Sequence, residues 1–464
     1  MNFTFFQRGI DNKMNKSPGL KRSLTLGHVI LFGLSFMAPI TVFTTYGIAI
    51  ESTHGMIPTA YIIALVVMLF TAYSYEKMVK EFPTTGSAYT YVQKGINSSM
   101  GFLVGWVILL DYLLSPMISA LLFGIFVHAY LPSIPIPVLI ITFVLIITVI
   151  NILGIKLATN VSAILLAFQI LFILIFCFFC IKGLIDGKGT GDLLSITPFF
   201  DSNVHFSSIL AIVPLLCFSF LGFDAVTTLA EETKEPKKTL PRAIYSISII
   251  GGVLFVASTY FAQSIFPEFS SFKNPESAAV DILIYAGGNL LNALFLSVTI
   301  TAAIASAVAS GGSGARVLYA MGRENILPNR IFGYLSPRFR TPIYNIIVIA
   351  FIATSALFLD LNTAAAFINF GALFAFTFVN LSVIVHFYGR KKQRTLKDIV
   401  LYFVIPLIGA TITALFWSEL DIHSMILGSS WLLVGFVYLL YLTKFFRQRP
   451  PELDFDESQV DMQI

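Results

Sequence analysis

Residues 218 to 225, Phe-Ser-Phe-Leu-Gly-Phe-Asp-Ala, place a glycine and a carboxylate inside an apolar stretch, Phe206 to Leu229, otherwise long enough to cross a bilayer. Such a crossing takes about 20 mainly apolar residues in a helix, because lipid offers no water to satisfy a bare backbone. A charged side chain near the hydrocarbon centre costs at least about 2.5 to 3.5 kcal/mol on insertion scales, so it faces a cavity or a partner. The stretch therefore reads as a broken membrane helix with function at the break.

The rest of the chain fits that reading. It is 56% hydrophobic and only 12% charged, against roughly a quarter charged in soluble domains. Apolar runs predict twelve spans, at about 28–50, 57–79, 99–130, 135–153, 157–181, 206–230, 242–266, 283–314, 342–359, 362–387, 398–417 and 422–446. An even number puts both termini on one side. Lys and Arg near span ends stay in the cytoplasm, and with the N-terminus inside only Lys182, Lys188 and Lys273 of the 29 basic residues would lie outside. The expectation is thus a multi-pass membrane protein with both termini cytoplasmic. The cluster Arg390, Lys391, Lys392, Arg394 and Lys397 reads as a topology anchor at the headgroups, not a nucleic-acid site. No secretory signal peptide precedes the first span, since Phe3–Phe6 is too short an apolar run.

Spans one and six are both interrupted, at Ser35-Phe36-Met37-Ala38-Pro39 and at Ser219–Asp224. They hold the same place in two successive groups of five. Broken segments in corresponding positions of two halves point to a transporter built from inverted repeats, with substrate bound at the midplane between unwound strands. The expected architecture is an all-α polytopic membrane protein with a five-plus-five inverted repeat. It divides into a cytosolic tail (1–24), a first repeat (25–185), a second (206–388), two peripheral helices (398–446) and a second tail (447–464). The longest outer loops, 182–205 and 267–282, are plausible lids.

Asp111 lies about eleven residues into span three, roughly 17 Å deep at about 1.5 Å per residue in a core about 30 Å thick. Ser115 and Ser119 follow at i+4 and i+8, on the same helical face. Two readings stand: a site for substrate or a proton, or a satisfied structural aspartate. Tyr112 would add an aromatic face or a hydroxyl. Asp224 either binds a cationic substrate or caps the inner half-helix near Ala225, Asp being a favoured N-cap. Glu231 and Glu232, among Lys234, Lys237 and Lys238, read as solvated or gate-forming ion pairs. Span eight carries Thr299, Ser306, Ser310 and Ser313 on one stripe, either a packing surface or, with carbonyls of span one, sodium ligands.

Soluble-enzyme chemistry finds no support. Gly187-Lys188-Gly189-Thr190-Gly191 lacks Walker spacing and a preceding strand. Cys177 and Cys180 have CxxC spacing without a second ligand pair, and the six histidines are dispersed, so no metal or cofactor is expected. With no ATP site, transport would draw on an ion or substrate gradient. A membrane receptor would call for a folded signalling domain, and the tails of about 23 and 18 residues are short for one.

The segment Phe220-Leu-Gly-Phe-Asp-Ala-Val-Thr-Thr-Leu-Ala-Glu-Glu-Thr-Lys-Glu-Pro236, followed by Pro241-Arg-Ala243, resembles the span-six signature of the amino acid, polyamine and organocation superfamily. So do Phe82-Pro-Thr-Thr-Gly-Ser-Ala-Tyr89 and Ala315–Pro328 with Arg340-Thr-Pro342. Within the superfamily the chain is most similar to bacterial putrescine importers, at Leu221–Glu232, Val280–Gly287, Ile368–Ala372 and Asn380–Ser382. The resemblance implies a five-plus-five fold and alternating access. It also implies a central site at Ser35, Met37, Ala38, Asp111, Tyr112, Phe220, Gly222, Phe223 and Asp224, with Asp111, Ser306, Ser310 and Glu231 in coupling or gating. Amino-acid carriers of the family hold the substrate carboxylate on bare amides of a glycine-rich break in span one. Here Pro39 has no amide hydrogen, which suits a ligand without a carboxylate, such as a diamine. Proton-driven relatives can carry a lysine in span five, where this chain has Gln169. The expected function is import of putrescine or a related polyamine, coupled to protons or alternatively to sodium; the rival is an amino-acid permease of the same fold.

Overall fold

The computed structural model describes residues 20, 22–202, 204–269, 272, 278–359, 361–448 and 450. Phe3–Phe6, Lys273 and the acidic tail beyond Pro450 lie outside them, as does much of the expected lid at 267–282. Every regular element among the described residues is helical, apart from one isolated parallel bridge between Leu24 and Thr233.

Among the described residues ten helices are long and apolar enough to cross a membrane. The two remaining expected spans are shorter apolar helices, Phe206–Phe218 and Ile343–Leu357. Phe206–Phe218 is short because span six breaks after it. A turn follows, and the chain resumes as a 3-10 helix, Ala225–Glu232, where an α-helical half was expected. Span one is α-helical over Leu26–Met37, then turns through Ala38 at φ 47° into a 3-10 helix, Pro39–Phe43. Its break therefore falls on Ala38–Pro39, later than the Ser35 start expected. Span eight is extended by a segment from Ala278 whose path bends at Gly288, φ 71°.

Loop chemistry distinguishes two ends of the bundle. At one, Thr190 N–H donates to the Ser264 carbonyl (3.0 Å) and the Thr59 hydroxyl to that of Phe199 (2.7 Å). At the other, the basic end, Ser23 and Leu24 N–H donate to the Glu232 carbonyl and Lys234 N–H to that of Leu24, tying spans one and six together. The anchor cluster has specific partners there. Lys391 pairs with Glu81 (2.5 Å), and Arg390 donates to the carbonyls of Lys94 (2.8 Å) and Ile96 at the end of a short helix, Ser87–Gly95.

Small residues set the helix spacing, since lipid supplies no hydrophobic drive between helices and close packing must act instead. A Cβ on Gly428 would sit 2.0 Å from the Phe370 ring, and one on Gly435 2.3 Å from Trp106. Trp106 of span three and Trp431 of span twelve stack at 4.9 Å, and each indole N–H donates to the other's carbonyl, at 3.0 and 2.9 Å. Span twelve is thereby fastened to the helix that carries Asp111. With one bond at about 1 kcal/mol and stacking at about 0.5 to 1.5, Trp431→Ala is expected to destabilise the protein by about 2 kcal/mol. Thermal unfolding in detergent measures this; an unchanged midpoint contradicts the staple.

Candidate functional site

The two breaks touch. Gly222 lies at φ +126°, and a Cβ there would stand 2.7 Å from the Gly33 carbonyl oxygen and 2.9 Å from Met37 N. Glycine is required both by its conformation and by that approach of two backbones. Gly33 is crowded in turn by Ile247 and Val226.

Asp111 and Asp224 are brought together at this junction, both fully buried and within electrostatic reach of each other. Asp111 Oδ1 accepts from the Ser115 hydroxyl (2.9 Å), one turn along the shared face, while Oδ2 has no partner. Ser119 is on that face too but donates to the Ser115 carbonyl (3.0 Å). Tyr112 donates to Asp224 Oδ2 (3.0 Å), and Gly222 N–H to Asp224 Oδ1 (3.2 Å). That corrects the capping expectation. Asp224 has helical φ/ψ (−76°, −37°) and makes no side-chain cap bond, whereas a capping Asp adopts an extended backbone that turns its oxygens onto the next amides. Its carboxylate faces back into the break. Among the described residues no Lys, Arg or His forms an ion pair with either aspartate.

Aromatic rings pack around the two breaks. Phe36 meets Tyr112 edge-on at 6.1 Å, Phe223 contacts Tyr75 (5.8 Å) and Phe376 (5.5 Å), and Phe220 packs against Phe255 (5.2 Å) and Tyr61 (6.5 Å). Ala38 forms the turn of span one itself. Ser35 and Met37 point elsewhere: the Ser35 hydroxyl donates to the carbonyls of Leu31 (2.7 Å) and Ser162 (3.1 Å), and Met37 sulfur lies against Gly251 of span seven. On span eight, Ser306 donates to the Phe36 carbonyl (3.2 Å) and Ser310 to the Ser306 carbonyl (2.7 Å). Thr299 bonds its own helix at Phe295. No group of three or more His, Cys, Asp or Glu able to hold a metal occurs among the described residues.

Several polar groups near the junction were not anticipated. The hydroxyls of Tyr75 and Tyr91, both buried, have no partner, and Thr227 donates to Ser87 (2.8 Å) and to the Asp224 carbonyl (2.6 Å). Ser87 and Tyr91 belong to the short helix 87–95, whose uncharged, hydroxyl-rich run Ser-Ala-Tyr-Thr-Tyr was its signal in the sequence. Gln169 is buried on span five with neither amide atom partnered.

Beyond the junction, toward the basic end, the ion pairs differ from those expected. Glu231 and Glu232 pair with arginines of span eight, not with Lys234, Lys237 or Lys238, because the 3-10 helix turns both carboxylates inward. Arg323 grips Glu231 with two bonds (2.9 and 2.8 Å), and Thr85 adds its amide (3.4 Å) and hydroxyl (3.3 Å). Arg316 grips Glu232 through Nε and through Nη2 (3.1 Å), with both partners buried. Replacing Gly222 by Ala is expected to lower the stability of this assembly by at least about 1 to 3 kcal/mol, the range for a strained backbone. A thermal melt of Gly222→Ala tests this, and an unshifted midpoint contradicts the backbone contact.

Comparison with known proteins agrees with this geometry. Over 94% of its length the chain is 42% identical to the low-affinity putrescine importer PlaP of Escherichia coli K12, covering 96% of that protein. It is 27% identical to the methylthioribose transporter of Bacillus subtilis, over 93% of this chain and 95% of the relative. To the branched-chain amino acid permease BcaP of Bacillus subtilis it is 26% identical, over 92% and 94%. The amino acid permease family profile matches residues 28–447, and with broken spans one and six in contact across a buried pair of carboxylates, this multi-pass membrane protein belongs to that family.

Proposed function

We propose that the chain is a secondary active importer of putrescine or a related polyamine, working by alternating access across the bacterial plasma membrane. The observation that carries this is the buried pair Asp111 and Asp224, with one carboxylate oxygen unpartnered and no cation of the protein against either. An isolated buried charge is prohibitively costly, and two such groups at one junction suit a ligand with two ammonium groups. Facing aromatic rings add about 0.5 to 2 kcal/mol each for a cation desolvated against them. The E. coli importer, similar over nearly the whole chain, supports the same substrate class.

An amino acid would leave its carboxylate poorly served. Ala38 N–H is already bonded to the Leu34 carbonyl, Pro39 has no N–H, and Gly222 N–H is given to Asp224. The amides that hold a carboxylate in such breaks are committed.

In this reading residues 25–185 and 206–388 form the two inverted repeats, 398–446 the peripheral helices, and the basic end faces the cytosol with both termini. Glu231 with Arg323 gates the site on the cytosolic side, and Ser306, on the same face as Ser310, fastens span eight to the Phe36 carbonyl of span one. Coupling is to protons, with a carboxylate as the proton site: span five offers Gln169, not a lysine.

Uptake of labelled putrescine into proteoliposomes under imposed proton or sodium gradients tests the proposal. Uptake driven by a proton gradient and poorly competed by lysine, arginine or neutral amino acids is expected; amino-acid uptake without putrescine uptake overturns it. Asp111→Asn and Asp224→Asn should each reduce putrescine uptake at least tenfold, a factor worth 1.4 kcal/mol, at unchanged protein level. Wild-type uptake by either variant removes that carboxylate from the site.

A further inference from the structure

The short helix 87–95 bonds at once to both elements that must part for release at the basic end. Its leading loop gives Thr85 to Glu231, and Ser87 accepts from Thr227, both on span six. Farther along, Tyr89 donates to Glu324 Oε2, and Gln93 Nε2 donates to the same oxygen (2.7 Å) and to the Tyr89 hydroxyl (3.0 Å). Glu324, just beyond span eight, is only 3% exposed.

Three carboxylates lie about the short helix and spans six and eight, Glu232 and Glu324 buried and Glu231 partly exposed, and they differ in kind. Glu231 and Glu232 are each gripped by a guanidinium, whereas the hydrogen bonds on Glu324 come from neutral donors, a phenol and an amide. The charged and titratable groups facing it are Lys94 and Tyr89 of the short helix and Arg323 of span eight, which is bonded to Glu231 of span six; Tyr438 of span twelve donates instead to the Ile326 carbonyl (3.0 Å). A buried carboxyl without a bonded cation is favoured in its neutral form.

We propose that Glu324 is the positioning residue of the cytosolic gate, and that closing the gate takes up one proton from cytosolic water onto its carboxyl, which opening returns. The proposal rests on the transport reading above. On closure a carboxylate and a proton become a carboxylic acid held by Tyr89 and Gln93; on opening the O–H bond breaks, the proton passes to water, and the freed carboxylate is solvated beside Lys94. Burial raises the Glu324 carboxyl in the closed gate, with Tyr89, Gln93, Lys94 and Arg323 only partly opposing it. A group raised in the closed state favours closure fully below its open-state value, about 4.3 for an exposed Glu. That preference is lost as pH rises through the closed-state value, so opening gains roughly tenfold per pH unit across that window.

The test is putrescine release into vesicles of defined orientation, with cytosolic-side pH varied and the opposite side held constant. Wild-type release is expected to rise with cytosolic-side pH by up to about tenfold per unit. Glu324→Gln, which keeps the acceptor oxygen, should remove this rise while retaining putrescine exchange. Tyr89→Phe should move the midpoint without abolishing the profile. An unchanged profile in Glu324→Gln, loss of exchange at every pH in a folded variant, or an unmoved midpoint in Tyr89→Phe overturns the proposal. Absence of putrescine transport by the wild type would instead overturn the transport reading.

Discussion

The contact of Gly222 with the backbone of Gly33 and Met37 is the constraint on which the rest depends. Two helices that must satisfy their own hydrogen bonds in lipid can stop doing so only where protein surrounds them, and here each break is sheltered by the other. The approach leaves no space for a side chain at Gly222, and it aims the Asp224 carboxylate back across the gap toward Tyr112. Asp111 reaches the same place from an intact helix, held by Ser115 one turn away. Backbone geometry, not a preformed salt bridge, gathers two carboxyl groups at this level of so apolar a chain.

Fixation around the junction is graded. Span three, which carries Asp111, is fastened to span twelve by reciprocal tryptophan bonds and to span eight by the close packing of Gly314 on Tyr112, where a Cβ would lie 3.0 Å away. Among the described residues span six has no comparable clasp in its first half, Phe206–Phe218; its second half is held at the basic end by Arg316, Arg323, Thr85 and Ser87. Buried pairs such as Arg316 with Glu232 add little net stability, yet removing one partner costs about 3 to 5 kcal/mol. They act as specific locks on a position more than as a source of stability.

Much of this was legible in the chain because lipid makes sequence unusually explicit. The apolar runs, the two interruptions, the face shared by Asp111 and Ser115, and the glycine beside Asp224 all follow from backbone satisfaction and helical period. What the sequence left open depended on direction. Asp224 reads as a cap or as a ligand until its φ/ψ is known, and Glu231 and Glu232 stand next to lysines in sequence while a 3-10 turn delivers them to arginines some 90 residues away. Ser35 looked like part of the break but spends its hydroxyl on span five. The short helix 87–95 stayed hidden because it is a connection in composition and a buried bridge only once spans six and eight converge on it. Glu324, one residue past a span, gave no sign of being enclosed.

In the transport reading proposed above, the two aspartates gathered where the broken helices meet receive the two charged ends of one ligand. A structure determined with putrescine bound checks this. One ammonium is expected against Asp111 Oδ2 and the other at Asp224, with the four-carbon chain passing between Phe36, Tyr112 and Phe223. Putrescine seated elsewhere, or touching neither carboxylate, would contradict it.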